Sequence, residues 1–157
     1  MSEHKPINAK SVAEFKSKPF YPEPFASRVA GRTKRKLGDE FGLANFGVNH
    51  TTMSPGAVSA LKHHHAKQDE FIYILSGTPT LFYGDKEYLM QPGECMGFKA
   101  GSGIGHQLRN DSDQPVVYLE MGDRSANEQV VYPDDDLAFS VSEDGSYAIT
   151  HKDGTPY

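Results

Sequence analysis

The chain predicts an all-β fold, an antiparallel β-sandwich or barrel. Three observations carry this. Short runs rich in Val, Ile, Thr, Tyr and Phe recur at spacings of roughly 8–12 residues, the rhythm of sandwiches and barrels. Fifteen glycines and ten prolines punctuate 157 residues, as short strands and turns require. A two-residue Gly84-Asp85 step sits between two such runs, a β-hairpin signal.

Residues 1–36 read as an N-terminal arm and 37–157 as a barrel domain that closes on a C-terminal hairpin. The arm is polar and proline-rich. Ser11 suits the N-cap of a short helix over 12–15. Pro19, Pro22 and Pro24 then favour an extended path beside Phe20, Tyr21 and Phe25. So apolar a segment is expected to pack on the body or cross to a second subunit. The basic run 32–36 reads as an exposed loop or a strand edge.

Strands are expected at 43–49, 51–53, 57–65, 70–75, 80–83, 86–90, 95–98, 106–110 and 116–121. Three more follow at 130–132, 139–141 and 147–150. Ser54-Pro55-Gly56, Ser76-Gly77 and Gln91-Pro92-Gly93-Glu94 mark turns. The cluster Asp134-Asp135-Asp136 lacks the spaced ligands and glycine of a calcium loop, so it reads as surface or helix-cap acids.

Length and charge narrow the function. At 157 residues the chain predicts one domain. A net charge of −5 offers no global basic field for nucleic acid. Charge is uneven: residues 1–36 carry nine Lys/Arg against three acids, and 133–157 one Lys against six acids. Solvated surface is the commoner reading of such asymmetry; attraction across a dimer is the other. The single cysteine, Cys95, excludes an intrachain disulfide, and its apolar setting suggests a buried thiol. No signal-peptide h-region and no membrane-length apolar run is legible, so a cytoplasmic protein is expected.

The chemistry concentrates in residues 56–77. His63, His64 and His65 are consecutive, and Glu70 opens the next apolar run. Imidazole nitrogen and carboxylate oxygen suit a borderline divalent metal. Strand parity puts His63 and His65 on one face and His64 on the other. It also puts Glu70, Ile72 and Ile74 together. A one-residue slip makes His64 the inward residue. The residues alone also admit a polar strand end and a surface acid.

The spacing adds specificity. Gly56, His63, His65, Glu70 and Gly77 resemble the first motif of the cupin superfamily, with the first spacer off by one residue. Pro92-Gly93-Glu94, Ala100-Gly101, His106 and Asn110 resemble the second. Lys99 stands where that family has proline, and the loop before His106 is two residues longer. The match spans roughly residues 41–121. The segment from His106 through Arg124 and the closing Lys152–Tyr157 are further similar to small single-domain bacterial cupins.

The resemblance implies a cupin-type jelly roll, a homodimer, and a metal held by His63, His65, Glu70 and His106. The cofactor expected is a divalent Fe, Mn, Ni or Zn ion. Asn110 is expected to fix a turn, Arg109 to face away from the pocket, and His50 to lie at the surface. The function expected is a metal-dependent enzyme on a small organic molecule, of dioxygenase, decarboxylase, isomerase or lyase type. The alternative is a non-catalytic small-ligand-binding or sensing cupin. Neither nucleic acid nor membrane is expected as a partner.

Overall fold

The computed structural model describes residues 5–15 and 21–157. Twelve strands appear among them: β1 Arg32–Lys36, β2 Phe46–Met53, β3 His64–His65, β4 Glu70–Ser76, β5 Thr80–Tyr83 and β6 Lys86–Leu89. They continue as β7 Cys95–Phe98, β8 His106–Arg109, β9 Val116–Asp123, β10 Gln129–Val131, β11 Ala138–Val141 and β12 Tyr147–Thr150. All named pairings are antiparallel. The five-stranded sheet has the order β1-β2-β9-β4-β7, the four-stranded β12-β11-β10-β3, and the three-stranded β6-β5-β8. Bridges Val58↔Arg109 and His63↔His106 join the two smaller sheets into the layer opposite the large one. The result is the expected sandwich of jelly-roll type.

Parity organises the core. On β4, Ile72 and Ile74 are buried while Phe71, Tyr73 and Leu75 are exposed. The inward pair packs with Met53, Val116 and Tyr118 of the same sheet and with Leu81 and Leu108 of the facing one. A second cluster joins Leu61, Val130, Tyr132 and Leu137 to Tyr21 and Phe25 of the N-terminal segment. Tyr21 and Phe25 are thus buried on their own chain; Pro19 and Phe20 lie outside the described residues.

Gly77 shows why a turn needs glycine here. Its φ is +79°, and an added Cβ would stand 2.9 Å from the Pro115 carbonyl oxygen and 2.8 Å from a Val116 methyl. Both the left-handed backbone and the close approach exclude a side chain.

Several expectations change. The predicted strand 57–65 shrinks to β3 plus two bridges. The reason is side-chain competition for the ladder. The Leu108 N–H donates to the Ser59 hydroxyl at 2.9 Å, and the Gln107 amide donates to the Ala60 carbonyl at 2.5 Å. The expected strands 43–49 and 51–53 are one strand, β2, starting at Phe46. The short helix expected at 12–15 is instead a 3-10 turn, Ala9–Ser11, capped by the Asn8 side chain. Two four-residue helices, α1 Phe25–Arg28 and α2 Leu37–Glu40, are too short to leave a helical period in the sequence.

Cys95 is exposed, not buried. It pairs with Tyr73 and shares its outward face. His50 is buried, not at the surface, because β2 runs straight through it. The acidic cluster caps no helix: Asp135 pairs with Arg28, and Asp136 accepts from His151 at 2.8 Å. Arg28 of the basic arm thus meets Asp135 of the acidic tail on its own chain.

Candidate metal centre

The site gathers side chains from both layers of the sandwich. Glu70 is the first residue of β4, flanked by Phe98 on β7 and Gly122 on β9. His106 is the first residue of β8, in the opposite layer. The His63 and His106 backbones exchange two hydrogen bonds, of 3.2 and 2.8 Å. His65 lies two residues on, paired with Val130 of β10. The lengthened loop does not displace His106. The Gly101 N–H is tied to the His65 carbonyl at 2.8 Å, and the Gly84 N–H to the Gly105 carbonyl at 2.9 Å. Lys99, in place of proline, is exposed.

The four side chains converge on one oxygen. Glu70 Oε2 is 2.8 Å from His106 Nε2, 3.3 Å from His65 Nε2 and 3.6 Å from His63 Nε2. Ligand atoms of His63, Glu70 and His106 all lie within 4.8 Å of one another. His65 stands outside that mutual set and reaches it through Glu70. His64 points elsewhere and does not line the cavity at this site.

Proton positions test whether a cation fits. His63 Nδ1 lies 2.7 Å from the Leu61 carbonyl oxygen. A carbonyl only accepts, so Nδ1 carries a proton and Nε2 is the ring nitrogen that faces Glu70. His65 Nε2 and Nδ1 are both buried without a hydrogen-bond partner among the described residues. Three imidazoles and a carboxylate around one point are the donor set of an open divalent site. The residues fit the metal that the fold implies.

The electrostatics agree. Burial would push the Glu70 carboxyl up, but the His106, His63 and His65 imidazoles hold it well below the usual carboxylate range. His106 is pushed down by burial, against the pull of Glu70. Its ring stacks on Phe98 with centroids 3.7 Å apart, which fixes its plane. Burial opposes charge on His65, but Glu70 and Glu128 together raise it.

Glu128 was not among the sequence candidates. It precedes β10, its side chain is fully buried, and Oε1 lies 3.9 Å from His65 Nδ1. The N–H groups of Ala66, Lys67 and Gln129 donate to it. It braces the ligand-bearing loop from behind. No sequence signal distinguishes it from the other acids of that polar stretch.

The site opens on a cavity of about 740 Å³. Tyr21, Tyr118 and Tyr132 line it, as does a second carboxylate, Glu120. The Tyr118 hydroxyl donates to Glu120 at 3.1 Å, and Lys34 pairs with the same carboxylate. Burial would raise Glu120; Lys34 and Arg32 hold it below the usual range instead. Burial raises the Tyr21 and Tyr132 phenols, whose hydroxyls lie 3.3 Å apart, so both stay protonated. Arg109 is exposed and bonded to Asp111 at 2.5 Å, away from the cavity. Asn110 is fully buried; it donates to the Met53 and Gln114 carbonyls and accepts from Ser112, fixing the 110–114 turn.

Comparison with known proteins agrees with this fold. The family described as Cupin domain matches residues 49–122. A crystal structure called a sugar phosphate isomerase from a cupin superfamily, from Silicibacter pomeroyi, is 36% identical with a TM-score of 0.90, covering 98% of this chain and 96% of that one. One called a putative sugar phosphate isomerase, from Acidithiobacillus ferrooxidans, is 28% identical with a TM-score of 0.73, covering 80% of each chain. The polyketide cyclase RemF from Streptomyces resistomycificus shares the fold at 21% identity and a TM-score of 0.61, over 78% of this chain and 81% of that one. No curated protein sequence matches. No helix among the described residues is long and apolar enough to cross a membrane. With its two motifs, its jelly-roll sheets and a relative 36% identical over nearly its whole length, the chain belongs to the cupin superfamily.

Proposed function

We propose that this cupin is a metal-dependent enzyme acting on a small organic molecule inside the barrel. His63, His65, Glu70 and His106 would hold a divalent Fe, Mn, Ni or Zn ion. The observation that carries this is the approach of three imidazole Nε2 atoms to within 3.6 Å of Glu70 Oε2 at the wall of the cavity. A bound divalent ion supplies a Lewis acid that polarises a substrate oxygen.

Among the four reaction types, isomerisation is the reading supported by the names of the two sugar phosphate isomerase relatives. The cavity's own residues suit proton transfer beside a carbonyl. Glu120, kept ionised by Lys34, is the carboxylate available as base. The protonated Tyr21 hydroxyl, which accepts from Tyr132, can donate to a substrate oxygen. The apolar wall of Ile72, Phe98 and Leu108 excludes water around them.

Metal analysis of protein purified without chelators tests the reading, with His65→Ala and His64→Ala beside the wild type. One metal per chain is expected in wild type and His64→Ala, and a loss in His65→Ala. A metal-free wild type that takes up none of the four ions would sink the proposal. A metal-loaded protein that turns over no sugar phosphate, keto acid or phenol would favour the ligand-binding alternative.

A further inference from the structure

One wall of the cavity carries more charge than the chemistry above uses. Strand β1 is the edge of the five-stranded sheet, and its alternate residues Arg32, Lys34 and Lys36 line the same cavity as Glu70 and His106. Period-2 geometry puts the three on one face. Arg35, of opposite parity, turns away to the Val12 carbonyl and Glu14.

The three cations differ in what neutralises them. Lys34 pairs with Glu120. Lys36 lies over the Phe15 ring, 3.5 Å from its centroid, and 3.9 Å from Asp39. Arg32 is half-buried and makes no hydrogen bond or ion pair among the described residues. A guanidinium keeps its charge throughout the physiological range, so burial cannot discharge it. Its five N–H donors are obliged to find acceptors.

The charge count points the same way. The cavity lining holds three cations, Arg32, Lys34 and Lys36, against two carboxylates, Glu70 and Glu120. The wall is thus net positive in a chain whose net charge is −5. A divalent metal would add two more positive charges. Arg32, Glu70 and the phenols of Tyr21, Tyr118 and Tyr132 all line this one cavity.

We propose that Arg32 is the oxyanion-binding residue of this cavity, holding a phosphate or carboxylate group of the substrate through two parallel N–H···O bonds. The fork of a guanidinium matches both groups, and a lysine does not reproduce it. Lys34 and Lys36 add positive field without reading the geometry. The proposal rests on the cavity being the substrate site, as proposed above.

The test uses three related probes: glycerol 3-phosphate, glycerate and uncharged glycerol. Binding is measured by calorimetry at constant ionic strength, with metal content determined for each sample. Wild type, Arg32→Gln, Arg32→Lys and Arg109→Gln are compared, the last removing an arginine outside the cavity. Wild type is expected to bind glycerol 3-phosphate, glycerate or both, and not glycerol. Arg32→Gln is expected to weaken anion binding about tenfold or more, the size of a lost charge-assisted hydrogen-bond pair. Arg32→Lys should also bind more weakly, and Arg109→Gln should match wild type. Binding of only the phosphate assigns a phosphate monoester; binding of only glycerate assigns a carboxylate. The proposal is overturned if neither anion binds, or if Arg32→Gln or Arg32→Lys binds as tightly as wild type. Metal content reads out separately: a metal-free wild type that still binds anions through Arg32 refutes the metal reading and leaves this one standing.

Discussion

His106 Nε2 and Glu70 Oε2 lie 2.8 Å apart, and they come from opposite layers of the sandwich. The contact joins the two layers at the candidate metal centre. Occupancy of the candidate site and stability of the fold are therefore expected to be coupled, because Glu70 and the histidines are carried by opposite layers.

That coupling makes metal removal a stability experiment. A ligand that binds only the folded state at about 1,000 times its Kd adds about 4 kcal/mol. For a chain of this size, each kcal/mol moves the melting midpoint about 2–4 °C. Chelation is therefore expected to lower the midpoint by about 8–16 °C, reversed by adding the metal. A scan unchanged by chelator and by metal would contradict the coupling.

Glu128 stands behind His65, with Oε1 3.9 Å from Nδ1. Supporting carboxylates of this kind typically change metal affinity about 10–100-fold when mutated. Glu128→Gln is expected to weaken metal binding in that range while His65 is still present. Competition against a chromophoric chelator measures it; unaltered affinity would reduce Glu128 to a brace for the Ala66 and Lys67 backbone.

The Lys34–Glu120 pair sets a pH dependence. Glu120 is held below the usual carboxylate range in the folded protein, so it binds a proton less readily than when unfolded. The stability it contributes is full above the ordinary carboxylate pKa and is lost as pH falls through the folded value. The gap in unfolding free energy between wild type and Glu120→Gln should therefore shrink as pH drops below about 4.3, the usual glutamate value. Denaturant titrations from neutral to acid pH check the sign.

Gly77→Ala should destabilise the fold by about 1–3 kcal/mol, the usual cost of a strained backbone residue. The position combines a φ of +79° with a Cβ site 2.9 Å from a backbone oxygen. Thermal melting measures it. A loss no larger than that of an exposed glycine such as Gly145 would refute the close-approach argument.

Cys95 is exposed on the outward face of β7, opposite Tyr73. A thiol reagent is expected to label the native protein fully without denaturant. Labelling that waits for unfolding would show the face to be covered.

Much was legible from the chain alone. The strands at Thr80–Tyr83, Cys95–Phe98 and Tyr147–Thr150 carry local signals at both ends, and they appear where expected. The His-x-His spacing and the apolar run after Glu70 pointed to the candidate metal centre, because parity and donor chemistry are written in neighbouring residues. What the sequence determined was therefore the all-β class, the strand rhythm, and which side chains are chemically fit to bind a metal. Tertiary structure decided the rest. It alone brings Glu128 behind His65, sets Arg32 on the cavity wall, buries His50 and exposes Cys95. Those outcomes depend on which distant strand lies alongside. A residue's own neighbours in sequence do not specify that; the packing of two layers does.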